Sequence, residues 1–505
     1  MADSPVPRIA LLPLDERPVN LLLPQDVARV AGVALDVPPS EMLPSYRESG
    51  NTEALGQWLK ERAADPATVQ LLVSVDMLVY GGLIPGRTSQ DSVCEVLARL
   101  DILREIRRTR PELGIYAVSL VMRASDSYSA AEEPDYWATY GKELHALGAT
   151  IHHLAGSSTT PPVEELTSVP ADVVSDFASR RIRNHHVNLS TLLLVEDGTL
   201  DFLAITADDT ATFSAGSAEQ DWLRHWMRLL PQGRSVLMYP GADEVGAVLV
   251  ARALSSSAPT ATTFRVVCAE ADGLDRVPLY ENQPLTESIR RQVRAAGGEL
   301  TDGEADVVLV IHAPDTKRHD MFNGYPADDD AGVIEGTVDA IRRELGTGHA
   351  VALADVRYPN GSDAALLWRL VEEGLAGELT AFGGWNTAGN TLGSVVAVAV
   401  AAVVAEKAGH VDKLALQQAL LTRLLDDFVY QSVVRTEDAS QFFPDSFPAA
   451  DDAVVAAAES AFSERMQEIL STALPADGWT LSKLGLPWRR SFEVEIGLQR
   501  AASDC

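Results

Sequence analysis

The sequence predicts an α/β fold of parallel strands, read as a (β/α)8 (TIM-type) barrel with a helical insertion and a mainly helical C-terminal extension. Three observations lead there. Eight segments share one grammar: a short apolar, β-branched run stops at a polar cluster and is followed by a stretch with helical periodicity. Near-continuous apolar strands are those buried on both faces, as in parallel sheets covered by helices. Eight is also the strand number of a closed barrel, whose catalytic groups sit at the carboxyl ends of the strands, where these polar clusters fall.

In order, the units are IALLPLDERPVN from Ile9, LLVSVDMLVYGG from Leu71, YAVSLVMRASDS from Tyr116, FLAITADDT from Phe202, VLMYPGADE from Val236, VVLVIHAPD from Val307, VALADVRYPNG from Val351 and LTAFGGWNTAGN from Leu379. Two further runs, VALDV from Val33 and FRVVCAE from Phe264, also read as strands, and a count of ten suits two open sheets instead. Between the third and fourth units, an insertion from about His152 to Leu200 opens with a loop-like SSTTPP. It continues as a helix starting near Ser168-Val169-Pro170, where serine caps and proline fits the first turn. Arg180, Asn184 and Asn188 recur every four residues and share a face, either a solvated one or one lying over the barrel mouth. After the eighth unit, helices are expected around 391–408, 412–430 and 449–473, followed by a late strand in SFEVEIGL with Phe492, Val494 and Ile496 on one face. The expected division is a barrel over 1–409, carrying the insertion at about 152–200, and a helical region over 410–505 that serves packing or assembly, which leaves a homo-oligomer open. No internal repeat is evident.

Composition narrows the function classes. With 505 residues the chain can bury a large core, and a formal charge of -31 repels phosphate backbones and anionic bilayers, so neither nucleic acid nor membrane is an expected partner. Cys94, Cys268 and Cys505 are too far apart for a zinc or disulfide framework, and MADSPVPRIALLPLDERPVN carries no secretory pattern, so a cytoplasmic location is expected. The apolar run Ser394–Ala405 is much shorter than the roughly 20 residues of a bilayer span and reads as a buried helix.

Chemistry is expected at the strand ends. Hydrolysis of a glycosidic bond needs an acid at the leaving oxygen and a group that stabilises positive charge at the sugar carbon, so carboxyl pairs mark such sites. Two adjacent pairs end apolar runs, Asp208-Asp209 in ITADDT and Asp243-Glu244 in YPGADEVG. Where a strand flares into its loop, both side chains of a pair can lean over the mouth. An N-cap or turn is the plainer use of such residues. Asp15, Arg17 and Asn20 of LDERPVN suit hydroxyl or carboxylate recognition, or a salt bridge. Asp76 interrupts an apolar run, where an unpaired charge is costly, and Tyr80 follows it. Arg123 and Asp126, and Arg357 and Asn360, repeat the theme of arginine with polar neighbours. In GGWNTAGN, Trp385 offers a platform for a sugar ring and Asn386 and Asn390 offer donors and acceptors. His185-His186, His312 and His319-Asp320 lack a metal-ligand spacing, and no Walker loop, GxGxxG or GxSxG is present, so no metal or other cofactor is expected.

With PLDERPVN, VDMLVYGGL, RASDS, ADDT, YPGADEVG, RYPNGSD and GGWNTAGNTLG in this order, the chain resembles a bacterial family catalogued as a domain of unknown function, over roughly residues 8 to 435. A second resemblance, to the O-GlcNAcase and β-hexosaminidase clan, rests on an acidic pair ending the fourth unit of a barrel. It implies that Asp208 orients the substrate's 2-acetamido group, that Asp209 is the general acid/base, and that the substrate is a carbohydrate bearing terminal β-linked GlcNAc or GalNAc. The other readings are a different carbohydrate-active or metal-dependent enzyme using Asp243 and Glu244, and a non-catalytic sugar-binding protein.

Overall fold

The computed structural model of the chain describes residues 7–155, 166–231, 235–324, 326, 330–444 and 449–500. The expected SSTTPP loop and Cys505 lie outside the described residues. About half of the chain is helix, and all eight expected segments form strands. Both further runs do so as well, joined by a short strand at Glu299–Leu300.

The chain divides into two compact units, one of Met1–Glu16, Val33–Leu249 and Tyr280–Asn282, the other of Arg17–Gly32, Val250–Leu279 and Gln283–Cys505. The boundary expected near residue 409 falls inside the second unit, whose core includes the C-terminal helices.

The first unit contains β1 (Arg8–Leu12), β2 (Ala34–Asp36), β3 (Thr68–Ser74), β4 (Gly114–Val121), β5 (Phe202–Ala207) and β6 (Val236–Pro240). They form one parallel sheet in the order β2-β1-β3-β4-β5-β6, with Leu11 opposite Leu72 and Ser119 opposite Ile205. All six residues of β5 are buried, as expected of a strand covered on both faces. The chain expected to continue as an apolar strand after Leu71 instead leaves the sheet at Ser74. The Ser74 hydroxyl accepts from the Met77 N–H and starts a helix, Val75–Tyr80, that ends at Gly81 with φ 81°. A side chain at Gly81 would also run into the Gly50 backbone, so glycine is needed for both reasons.

The expected insertion helix runs from Ala171 to Glu196. Its polar stripe neither faces solvent nor covers a mouth. Asn184 donates to the Gly86 carbonyl, and Asn188 donates to the Ser119 hydroxyl and the Leu120 carbonyl, both asparagines being buried. Arg180 pairs with Asp176 and donates to the Ser89 carbonyl. The stripe therefore satisfies carbonyls at the end of the short helix Leu83–Thr88 and near the end of β4.

The second unit holds β7 (Thr263–Cys268), β8 (Glu299–Leu300), β9 (Val307–His312), β10 (Ala350–Asp355) and β11 (Ala381–Gly383), again parallel, in the order β11-β10-β9-β7-β8. Numbered within itself, each sheet follows the doubly wound order 2-1-3-4-5, which the first unit extends by one strand. The helix Ala388–Lys407 has the length and apolarity of a membrane span, but 94% of its apolar window is buried inside the protein. The helix Lys413–Arg423 continues as a π-helix over Leu424–Val434, and Asp452–Thr472 follows. The late strand is β13 (Glu495–Arg500), antiparallel to β12 (Trp479–Gly485), and Phe492, Val494 and Ile496 are all buried.

Candidate functional site

In the first unit, the ends of β3, β4 and β5 and the loops that follow them bring together two arginines and four carboxylates. Arg87, on a short helix after β3, is buried, pairs with Asp208 and donates to Glu132 Oε2 at 3.0 Å. Arg123, just beyond β4, donates to that same Glu132 oxygen at 2.7 Å, to Glu133 at 3.0 Å and to Asp209 at 2.9 Å. Glu132 thus bridges the two guanidiniums, and each guanidinium holds one member of the Asp208-Asp209 pair. Arg181, itself paired with Glu219, donates to the carbonyls of Met122 and Arg123 and fixes the strand end that carries Arg123.

The two aspartates are not equivalent. The Asp208 side chain is 12% exposed against 33% for Asp209, which is the carboxyl turned toward solvent. Burial, and then the neighbouring Asp208 charge, push the Asp209 pKa up to about 6, with Arg123 and Arg87 opposing the rise. Its open third tempers that burial, but the direction follows from two carboxylates side by side. Asp209 also has φ 22°, a backbone conformation rare outside glycine and of the kind that collects at functional sites.

Asp76 stands on the first turn of the helix Val75–Tyr80, not within a strand, and its Oδ2 accepts from the Leu120 N–H at 3.0 Å. Burial raises its pKa to about 7, and the charge of Asp208 adds to the rise. Tyr80 is buried with the Arg183 guanidinium 4.8 Å from its ring centre. Asp15 and Asp243 are buried in this unit, and Asp126 is exposed on the loop after β4. Glu244 is fully buried and folds back on its own turn, where its Oε2 accepts from the Ala242 N–H at 3.0 Å. That turn requires Gly241, whose φ is 139° and where a Cβ would lie 2.2 Å from the Glu244 carboxylate. A pocket bounded by residues of β1, β3, β4 and β5 and by the helix Val245–Ser256 is lined mainly by apolar residues such as Leu12, Leu14, Val118 and Leu120.

The second unit gathers the other expected residues. Beyond the carboxyl ends of β9, β10 and β11 lies a small pocket. It is lined by Asp315, Arg318, His319, Arg357, Tyr358 and Asn386 together with prolines and aliphatic groups. Arg357 donates to Glu270 at 2.9 Å. Asn360 donates its backbone N–H to the Asn386 carbonyl at 3.0 Å and its side chain to Asp320 at 3.1 Å. Both asparagines have left-handed backbones, φ 65° and 66°. Trp385 is not an open platform for a sugar, because its ring is buried against Phe492 with centroids 5.3 Å apart. Asn390 donates to Thr387 Oγ1 at 3.0 Å within its helix turn. Arg17 and Asn20, at the start of the helix Pro18–Val30, are buried, and Arg17 pairs with Glu493 at 3.2 Å and lies 4.7 Å from the Trp488 ring centre. The salt-bridge reading of LDERPVN therefore holds for its arginine.

Three charged residues of the first network were not among those expected from the sequence. Arg87, Glu132 and Glu133 complete the first unit's ring, and the adjacent acids of AAEEPDY were a signal of the same kind as ADDT. In the second unit His312 lies 3.1 Å from Asp363, whose N–H donates to Asp355 at 2.6 Å. Burial pushes the Asp355 pKa up to about 6, with His312 opposing and Asp363 adding to the shift. Among the described residues no three His, Cys, Asp or Glu side chains are grouped so as to hold a metal ion.

The likeness of the acidic pair to the hexosaminidase clan is not supported. Because Ala34–Asp36 is a strand, the pair ends the fifth strand in chain order, not the fourth. No curated protein matches the chain. A family model matches residues 9–497, nearly the whole length and further than the expected 8 to 435, and the chain thereby belongs to the family described as Protein of unknown function (DUF4127).

Proposed function

We propose that the protein is a glycoside hydrolase that removes terminal β-linked N-acetylhexosamine, GlcNAc or GalNAc, by substrate-assisted catalysis. Asp209 is the proton donor to the leaving oxygen, and Asp208 is the carboxylate that orients the acetamido group. The observation that carries this reading is the asymmetry of the pair. Asp209 is the more open member and its pKa is raised to about 6, while Asp208 is held by the buried Arg87. A carboxyl with a raised pKa beside a second carboxylate is the division of labour that acid-catalysed glycoside cleavage uses. The alternative pair is less suited, since Glu244 is engaged by its own turn.

The architecture we propose is two doubly wound halves. Two sheets of the same strand order support it, whereas a closed (β/α)8 barrel rests on the eight expected units alone. The pocket of the second unit favours one further reading, a sugar-binding protein without turnover.

The test is hydrolysis of aryl N-acetyl-β-glucosaminide and N-acetyl-β-galactosaminide beside their 2-hydroxyl counterparts, with and without chelator. Cleavage should be confined to the acetamido sugars, be indifferent to chelator and fall on the order of 10² or more in kcat for Asp209→Asn. As the donor must be protonated, kcat should decline as pH rises through about 6. Turnover untouched in Asp209→Asn would sink the assignment, and saturable binding without turnover would leave the sugar-binding reading.

A further inference from the structure

The helix Ala215–Leu229 of the first unit buries Gly216, Ser217, Gln220 and Leu223. Its opposite face leaves Trp222, Trp226 and Leu229 uncovered, 57%, 47% and 73% exposed. Spacings of four and three residues put these side chains in a single stripe. Solitary exposed apolar residues are ordinary, but two tryptophans and a leucine in register on one helix form a patch of the kind that marks an interaction surface.

The charges beside the stripe indicate what covers it. Asp221 and Arg228 are seven residues apart, nearly two full turns, and so lie on the same flank of the helix. Asp221 is 56% exposed, bonded at 2.8 Å to Arg224 and 3.2 Å from His152. When two copies of one helix meet face to face about a two-fold axis perpendicular to their length, they run antiparallel and the same flank of each is brought together, the arrangement in which Asp221 and Arg228 can meet. Centring the axis on the stripe sets Trp222 opposite the partner's Leu229 and Asp221 beside the partner's Arg228, and the reverse contact forms at the other end. The antiparallel register therefore sets apolar side chains against apolar ones and opposite charges side by side. The exposed parts of the three side chains supply on the order of 350 Å² of apolar surface per copy. That is close to half of the ~800 Å² each partner contributes to a standard interface, as suits an apolar centre within a polar rim.

We infer that this face of Ala215–Leu229 is a two-fold interface through which two copies of the chain associate. Sedimentation equilibrium of the full chain over a wide concentration range tests it. The wild type should dimerise. Trp226→Glu should weaken the dimer by roughly 30-fold or more, as expected for a tryptophan at the centre of an interface. Its circular dichroism should not change, and its melting temperature should equal that of wild type diluted to monomer, because the side chain is half exposed. Asp221→Arg and Arg228→Glu should each weaken the dimer about tenfold by opposing like charges, and the double variant should recover most of the loss. Only a second copy of this helix can give that recovery. A wild-type monomer at every concentration would overturn the inference, as would a dimer that survives Trp226→Glu or an additive loss in the double variant. So would a monomer that binds phospholipid vesicles through the stripe.

Discussion

Asp76 has almost no contact with water, and its charged form is correspondingly disfavoured. Its pKa moves from the usual value near 3.8 to about 7, chiefly through burial. Between those pH values the folded protein holds a proton that the unfolded chain has released. The stabilising contribution is therefore complete below about pH 4 and is lost as the pH rises through about 7. Some three pH units at 1.36 kcal/mol each set the swing at about 4 kcal/mol as an upper bound. Asp76→Asn keeps an acceptor for the Leu120 N–H and cannot ionise. Its urea midpoint should match the wild type near pH 4 and exceed it near pH 8. A difference independent of pH would mean that the carboxyl stays ionised in the folded state. The sequence drew attention to Asp76 for the right reason, a charge in apolar surroundings, but misplaced it in a strand. The same limit applies across the candidate site. Asp208, Asp209 and Arg123 were legible because each follows a strand directly. Arg87, Glu132 and Glu133 reach the ring from loops and a short helix, whose paths are set by tertiary packing that no local pattern encodes.

At the scale of elements, the π-helix Leu424–Val434 shows what hydrophobic periodicity conveys and what it leaves out. The apolar pattern announced a helix over 412–430, yet the change of hydrogen-bond register after Arg423 depends on partners far away in the chain. Asp427 accepts from Arg423 at 3.0 Å and from the Gly384 N–H at 2.9 Å, tying the π-helix to the end of β11. Asp426 takes the other arm of Arg423 at 2.9 Å, and burial raises its pKa to about 6 against the pull of that arginine. All three side chains are buried. Asp427→Ala would leave a buried guanidinium half paired and a buried N–H without an acceptor. A loss of about 3–5 kcal/mol in unfolding free energy is expected by denaturant titration. Asp427→Asn, which still accepts from Gly384, should lose less, and equal losses would show that the backbone bond contributes nothing. The helix Ala171–Glu196 makes the complementary point. Its four-residue polar spacing was plain in the sequence, but only the packing reveals that the stripe points inward, toward carbonyls.

For the whole molecule, the two units share a strand order that no internal sequence repeat announced. Strand order follows from crossover handedness and from which faces must be buried, and many sequences satisfy both, so topology can recur where residues do not. The strands of the two parallel sheets were nearly countable from apolar runs, and a count of ten already suited two open sheets, but which strands pair in which sheet was not legible, because a buried parallel strand reads the same in a barrel and in an open sheet. The chain path adds a constraint. Arg17–Gly32 belongs to the second unit although the residues on both sides of it belong to the first. Its helix Pro18–Val30 buries Val19, Leu23, Val27 and Val30 and packs against Ala388–Lys407 and Lys413–Arg423. At about 2 kcal/mol for each buried side chain, the helix contributes roughly 8 kcal/mol of gross burial. That is comparable to the entire net stability of an ordinary domain. A fragment of residues 250–505 should therefore lack cooperative unfolding and bind a hydrophobic dye, although it retains every strand of its sheet. A peptide spanning 17–32, added in trans, should bind the fragment, suppress the dye signal and restore a cooperative transition. If the fragment folds equally well without the peptide, the burial around Pro18–Val30 is not what stabilises the second unit, and the core formed by its C-terminal helices suffices.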